Sequence, residues 1–169
     1  ENIKALEDAG RAYNNSGVMN DILGDPAKAL QEYMKALSVY EQLKNDELIS
    51  GTLINIALVL ANRKNYKEAK NYYRRAYNIV VRFEMHQGIS TAGNGLGIVY
   101  DKLGQYDTAY FYYNKALDAA KFSKNDYGIA MSYGNLALNS EYQGDYSAAI
   151  AYYEQSLAIK ERLGNKASL

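Results

Sequence analysis

Apolar and small residues recur at i, i+3, i+4 and i+7 along nearly the whole chain, in stretches of several turns divided by short polar breaks. That period belongs to helices with one buried face; strands would alternate. The breaks carry turn chemistry. Gly24-Asp25, Gly104-Gln105 and Gly144-Asp145 each put a glycine where a helix C-terminus takes a left-handed residue, and two of the three follow it with Asp, a good N-cap. Lys64-Asn65 occupies the same place in another segment and is the weakest of these turns. Pro26 falls at a first helical position, where its missing N–H costs nothing. The polar triplet Lys44-Asn45-Asp46 recurs unchanged as Lys124-Asn125-Asp126. The pattern predicts first helices near 7–23, 47–63, 88–103 and 127–143, and second helices near 26–43, 66–83, 106–122 and 146–163.

The pattern also repeats. Tyr33, Tyr73, Tyr113 and Tyr153 stand at one constant interval of forty positions, as do Tyr66, Tyr106 and Tyr146, with Pro26 opening that column. Ala29, Ala69, Ala109 and Ala149 form a small-residue ladder, Ala36, Ala76, Ala116 and Ser156 another, and Gly17, Ala57, Gly97 and Ala137 a third. No gap is needed to hold the register. A two-helix unit of this length cannot bury its apolar face alone, whereas stacking on a copy of itself does so, and small residues let the backbones approach. The fold expected is an all-α, right-handed α-solenoid of eight helices, one array over residues 1–169 with repeats near 4–43, 44–83, 84–123 and 124–163. Residues 164–169 fall on the columns that open a further, truncated repeat, with Leu169 continuing the ladder Ile49, Ile89, Ile129 and leaving an uncapped C-terminal face suited to self-association.

Composition narrows the chemistry. With no Cys among 169 residues there is no disulfide, zinc finger, iron-sulfur cluster or thiol nucleophile, and one His excludes a His-rich metal site. Nineteen basic residues balance nineteen acidic ones, so the chain as a whole exerts no net attraction on nucleic acid or an anionic membrane. The longest uncharged apolar stretch, residues 48–61, is short of the ~20 needed to cross a bilayer. Without an initiator Met or a signal peptide the chain reads as an excised fragment or a mature product. The absence of Cys fits reducing and oxidising environments alike, so the compartment stays open between the cytoplasm, the favoured reading, and a periplasmic sensor region.

The columns resemble the tetratricopeptide repeat. Small residue, twelve on to Ala, four on to an aromatic and three on to a small residue is met by Gly17/Ala29/Tyr33/Ala36, Ala57/Ala69/Tyr73/Ala76, Gly97/Ala109/Tyr113/Ala116 and Ala137/Ala149/Tyr153/Ser156. Two departures stand out. The unit spans forty positions, against ~34 in the family at large. The proline usual near the end of the second helix is replaced by Glu41, Val81, Lys121 and Glu161. The longer unit is similar to the subclass found in kinesin light chain, Pins-type adaptors and bacterial peptide-sensing regulators. The resemblance implies a concave groove lined by the first helices. Asn15, Asn55 and Asn135 then occupy a column whose carboxamide hydrogen-bonds the main chain of a bound peptide, with Gly95 interrupting it and Asn14 and Asn94 in the column before. One turn along lies an apolar column, Val18, Leu58, Ile98 and Leu138, and beyond it an acidic one, Asp21, Asp101 and Glu141, broken by Ala61. Such a groove implies an extended or helical protein or peptide partner with aliphatic and basic side chains, and no cofactor. The Lys/Arg clamp of chaperone-binding members is absent: the corresponding positions hold Asn14, Val18, Asn55, Thr91 and Gly95.

Other readings carry less weight. The tyrosines could suggest a base-stacking surface, but most sit in columns that pack between helices and the chain has no basic excess. Gly93-Asn94-Gly95-Leu96-Gly97 fails as a dinucleotide motif on spacing and on the lack of a preceding strand; close packing explains Gly97, while Gly93 and Gly95 soften the helix. His86 is read as an inert loop residue, and no constellation supports catalysis. The expected function is a non-enzymatic peptide- or protein-binding module, the regulatory or sensory part of a larger signalling protein. Its rival is a scaffold that assembles through helix edges or end-to-end stacking.

Overall fold

The computed structural model describes residues 3–167. They form α1 (Ile3–Ile22), α2 (Pro26–Gln42), α3 (Asp46–Asn62), α4 (Tyr66–Arg82), α5 (His86–Lys102), α6 (Tyr106–Phe122), α7 (Asp126–Tyr142) and α8 (Tyr146–Ala167). The helices gather into two compact units, one reaching Val80 and the other beginning at Val81. In the first, α2 packs on α1 and on α3, and α4 sets Arg75 on Glu41 of α2 and the Tyr72 hydroxyl 3.9 Å from the Met34 sulfur. In the second, α6 packs on α5 and α7, α8 packs on α7, and α5 also touches α7 directly. The last helix runs without a break through Gly164, past its expected end; Leu169 and the surface it would offer lie outside the described residues.

One turn design ends each helix but the last. The residue two after the helix, at 24, 44, 64, 84, 104, 124 and 144, has a positive φ between 52° and 78°. At six of the seven the next N–H reaches back to the carbonyl five residues earlier, as Asn65 does to Leu60 at 2.9 Å. This satisfies carbonyls that the helix end would leave without partners. Glycine fills three of these positions; Lys44, Lys64, Glu84 and Lys124 take the same conformation at a cost of ~1 kcal/mol each. The following residue then caps the next helix: Asp25, Asn45, Asn125 and Asp145 accept the N–H three residues on at 3.0–3.1 Å. His86 is the first residue of α5 rather than a loop residue, with its ring 3.9 Å from that of Phe122.

Between helices the tyrosine columns supply the packing. Tyr33, Tyr73 and Tyr113 are buried, and a Cβ added to Gly17 would lie 2.6 Å from the Tyr33 ring; one added to Gly97 would collide with Tyr113. The ring therefore lies directly on the backbone of the preceding first helix. Tyr100 stacks on Tyr112 at 5.4 Å, Tyr106 on Tyr142 at 5.6 Å and Tyr133 on Tyr152 at 6.1 Å, each pair joining neighbouring helices. Gly93 serves close approach too, to Ala116 and the Tyr112 carbonyl, so Gly93 and Gly97 make room for neighbours within α5, which runs unbroken from His86 to Lys102.

A buried polar network locks the second unit. The Tyr113 hydroxyl donates to Asp101 Oδ2 at 2.7 Å, and Asn139 Nδ2 donates to Asp101 Oδ1 at 2.7 Å and to the Tyr106 carbonyl at 3.0 Å. One carboxylate on α5 thus ties α6 and α7 together. Burial pushes the Asp101 carboxyl above its ordinary pKa, opposed by the hydrogen bonds from Asn139 and Tyr113. Burial, and then the Asp101 charge, push the Tyr113 phenol up.

Because the Tyr113 ring leaves no space at Gly97, Gly97→Ala should lower stability by about 1–2 kcal/mol despite better helix propensity, whereas Gly51→Ala, in open space on α3, should raise it by about 1 kcal/mol; urea denaturation reads both. Asp101→Ala should cost about 3 kcal/mol, because it leaves the Tyr113 hydroxyl and the Asn139 amide without their acceptor. The folded-state pKa of Asp101 is raised, so the fold holds the proton more tightly than the unfolded chain. Wild-type stability relative to the non-titrating Asp101→Asn should therefore rise as pH falls from 7 toward about 4.

Candidate peptide groove

The first helices α1 and α3 of one unit, and α5 and α7 of the other, carry the residues singled out in the sequence. Amide pairs sit at equivalent places in both units: Asn55 Nδ2 lies 3.5 Å from Asn14 Oδ1, and Asn135 Nδ2 donates to Asn94 Oδ1 at 3.0 Å. The register explains the pairing, since neighbouring first helices bring column n beside column n+1 of the next repeat. Asn55 and Asn135 remain half-buried, and Asn15 is exposed. A carboxamide with one atom bonded to its neighbour still has donor or acceptor capacity for a ligand.

The apolar column is open. Val18, Leu58, Ile98 and Leu138 are 37–46% exposed, whereas Leu53, Ile56, Leu96 and Leu136 on α3, α5 and α7 are almost completely buried. Among the described residues, no other column holds an exposed aliphatic side chain in all four repeats.

Two expected groove residues are not available. Asn94 is 2% exposed and donates to the Ser90 carbonyl and Ser132 Oγ while accepting from Asn135; its hydrogen bonds are made within the protein. Asp101 is 8% exposed and engaged as described above, so it is a structural acceptor and no part of an acidic rim. The same logic extends along its column. Tyr153 donates to Glu141 Oε2 at 3.1 Å, and burial followed by the charge of half-buried Asp21 pushes Tyr33 up. The acid stands twelve positions before the ladder tyrosine each time. Where Ala61 replaces it, Tyr73 has no carboxylate in that position, and burial pushes its pKa up to about 12. The equal spacing of two columns, Asp/Glu and Tyr, was the signal for this pairing in the sequence. Asn139 had none, because its column otherwise holds Met19, Val59 and Val99.

Among the described residues no cluster of three or more His, Asp or Glu side chains is arranged to hold a metal ion, and no helix is long and apolar enough to cross a membrane. A cleft of about 330 Å³ opens between α6, the end of α7 and α8, lined in part by Asp107, Tyr110, Asp145 and Tyr152. The Tyr110 and Tyr152 hydroxyls lie 3.3 Å apart there, and that hydrogen bond, more than burial, pushes Tyr152 up to about 12.

Comparison with known proteins agrees with this architecture. No curated protein matches the chain. Among solved structures, BtubC (BKLC) from P. vanneervenii is 20% identical with a TM-score of 0.81 over 92% of this chain and 64% of its own. The apo form of RapI is 16% identical with a TM-score of 0.87, covering 94% of this chain and 58% of RapI. A Rap protein complexed with Competence and Sporulation Factor is 21% identical with a TM-score of 0.78, covering 89% of this chain and 42% of that one. The chain thus spans less than two thirds of the length of each. The tetratricopeptide repeat family matches in three overlapping windows, residues 8–80, 48–121 and 88–162. With its all-α repeats of helical hairpins, the chain belongs to the tetratricopeptide repeat family and is a protein-interaction module.

Proposed function

We propose that the first-helix faces of each unit, carrying Val18 and Leu58 in one and Ile98 and Leu138 in the other, capture an extended or helical segment of a partner protein. The observation that carries this reading is that, among the described residues, this column alone holds an exposed aliphatic side chain in all four repeats. Leaving such side chains in water forgoes about 1 kcal/mol or more each, an arrangement that suits a surface completed by a ligand. Half-buried Asn55 and Asn135 beside them offer main-chain hydrogen bonds, and aliphatic side chains of the partner fill the apolar column. With Asp101 withdrawn, a preference for Lys or Arg rests on Asp21 and Glu141 alone. The Rap protein complexed with Competence and Sporulation Factor supports a binding role for this fold, and the part played here is the regulatory or sensory one in a signalling protein. Nothing in this reading calls for catalysis.

A scaffold reading is favoured by a different observation. On α8, Tyr146, Ile150, Tyr153 and Leu157 form an exposed stripe, although Tyr113 and Leu117 at the equivalent places on α6 are buried. That surface suits a further helix stacked end to end.

Selection of binders from a displayed random-peptide library separates the two. Groove binding predicts enriched peptides with spaced aliphatic residues, whose affinity falls about tenfold or more in the quadruple variant Val18→Ser, Leu58→Ser, Ile98→Ser, Leu138→Ser while helicity is unchanged. If the variant binds as the wild type does, and Leu157→Asp alone abolishes concentration-dependent self-association in sedimentation, the scaffold reading replaces it.

A further inference from the structure

The zero net charge of the chain conceals a strong local excess. Residues 63–75 contain six cations, Arg63, Lys64, Lys67, Lys70, Arg74 and Arg75, against one carboxylate, Glu68. The fold concentrates them on one side. Ala69, Tyr73, Ala76 and Val80 form the buried face of α4, which leaves Lys67 and Arg74 on the solvent side with Lys70 half-buried between them. Lys67, Lys70 and Arg74 are at i, i+3 and i+7, within about 11 Å along the helix axis, and exposed Arg63 and Lys64 sit in the turn just before. Glu68 accepts from Asn65, and Glu41 of α2 pairs with Arg75, so the nearby acids engage the edges of the patch rather than Lys67 and Arg74 at its centre.

We propose that this face of α4 is a second docking surface, separate from the groove, for an acidic segment of a partner protein. Three features select that partner. Positive potential of this density attracts carboxylates, and arginine at two ends of the patch allows bidentate pairing with Asp or Glu. The patch is short. A nucleic acid or a membrane plane would run beyond it onto the rest of the molecule, which carries eighteen acidic residues against thirteen basic ones outside residues 63–75. No large apolar side chain between Arg63 and Val80 is exposed among the described residues, so the face has neither a platform for stacked bases nor a wedge for lipid. A segment of a few carboxylates about three helical turns long meets six cations and the single acid Glu68.

The test uses the full chain and three probes: a fluorescent twelve-residue peptide of alternating Glu and Ala, a single-stranded DNA twelve-mer, and vesicles containing phosphatidylserine. The peptide should bind at low salt and release as salt rises. Its affinity should fall about tenfold or more in Arg63→Glu/Lys67→Glu/Arg74→Glu and by less in the corresponding triple glutamine variant. The control Lys44→Glu/Lys115→Glu/Lys160→Glu, equal in charge and placed elsewhere, should keep wild-type affinity; circular dichroism should show all variants folded. Failure of the peptide to bind at low salt, equal loss in the control, or tighter binding of the DNA or the vesicles than of the peptide would overturn the proposal.

Discussion

The contact on which this architecture turns is a tyrosine ring laid flat on the backbone of the helix before it. At Gly17 and Gly97 an added Cβ would collide with the ring, so this close form of the contact takes glycine, and it brings the phenol to one position on the first helix, a turn beyond that small residue. In the second unit a carboxylate waits there. Tyr113 lies on Gly97, its hydroxyl reaches Asp101, and Asp101 in turn holds Asn139 of α7. Apolar packing alone leaves helices free to slide; a buried acceptor with two donors fixes their register, since misplacing either donor leaves a buried polar group without a partner.

This lock reallocates the chemistry of the first helices. Of the acids that a helical projection would place on a binding rim, Asp101 is consumed by Tyr113 and Asn139 while Glu141 keeps an exposed hydrogen bond to Tyr153, and one amide of each Asn pair supports the other. What the fold leaves unspent is a single aliphatic column flanked by half-satisfied carboxamides. In the binding role proposed above, a surface of that kind suits recognition of main chain and shape more than of charge. It accords with an interaction module whose specificity comes from which side chains fill the apolar positions. Charge selection is placed elsewhere, on α4, where buried small and aromatic residues turn the lysines and arginines outward together.

Much of this was legible in one sequence because the repeat supplies its own controls. Four copies in strict register show which columns must be small or aromatic, and Gly24, Gly104 and Gly144 mark the turns well enough to place helix ends within a few residues. The cations of residues 63–75 were also in plain view, but a whole-chain balance of nineteen against nineteen masks them. His86 read as a loop residue because Met85 before it is not a recognisable cap; the helix begins there all the same, with the His86 ring tilted against that of Phe122. Lys44, Glu84 and Lys124 carry no glycine signal, yet they adopt the left-handed turn because the regular spacing of the packed helices requires it.

The sequence by itself determined the helices, their pairing into repeats and the family, since periodicity and small-residue columns are local or repeated facts. Only the tertiary structure decided which polar side chains face solvent. Asp101, Asn94 and Asn139 share helical faces with residues that remain accessible, and they are withdrawn because a hydroxyl, an amide or, for Asn139, a carboxylate from another helix arrives at hydrogen-bonding distance. Whether a polar group is free for a ligand depends on partners distant in sequence, and a pattern along one helix does not contain them.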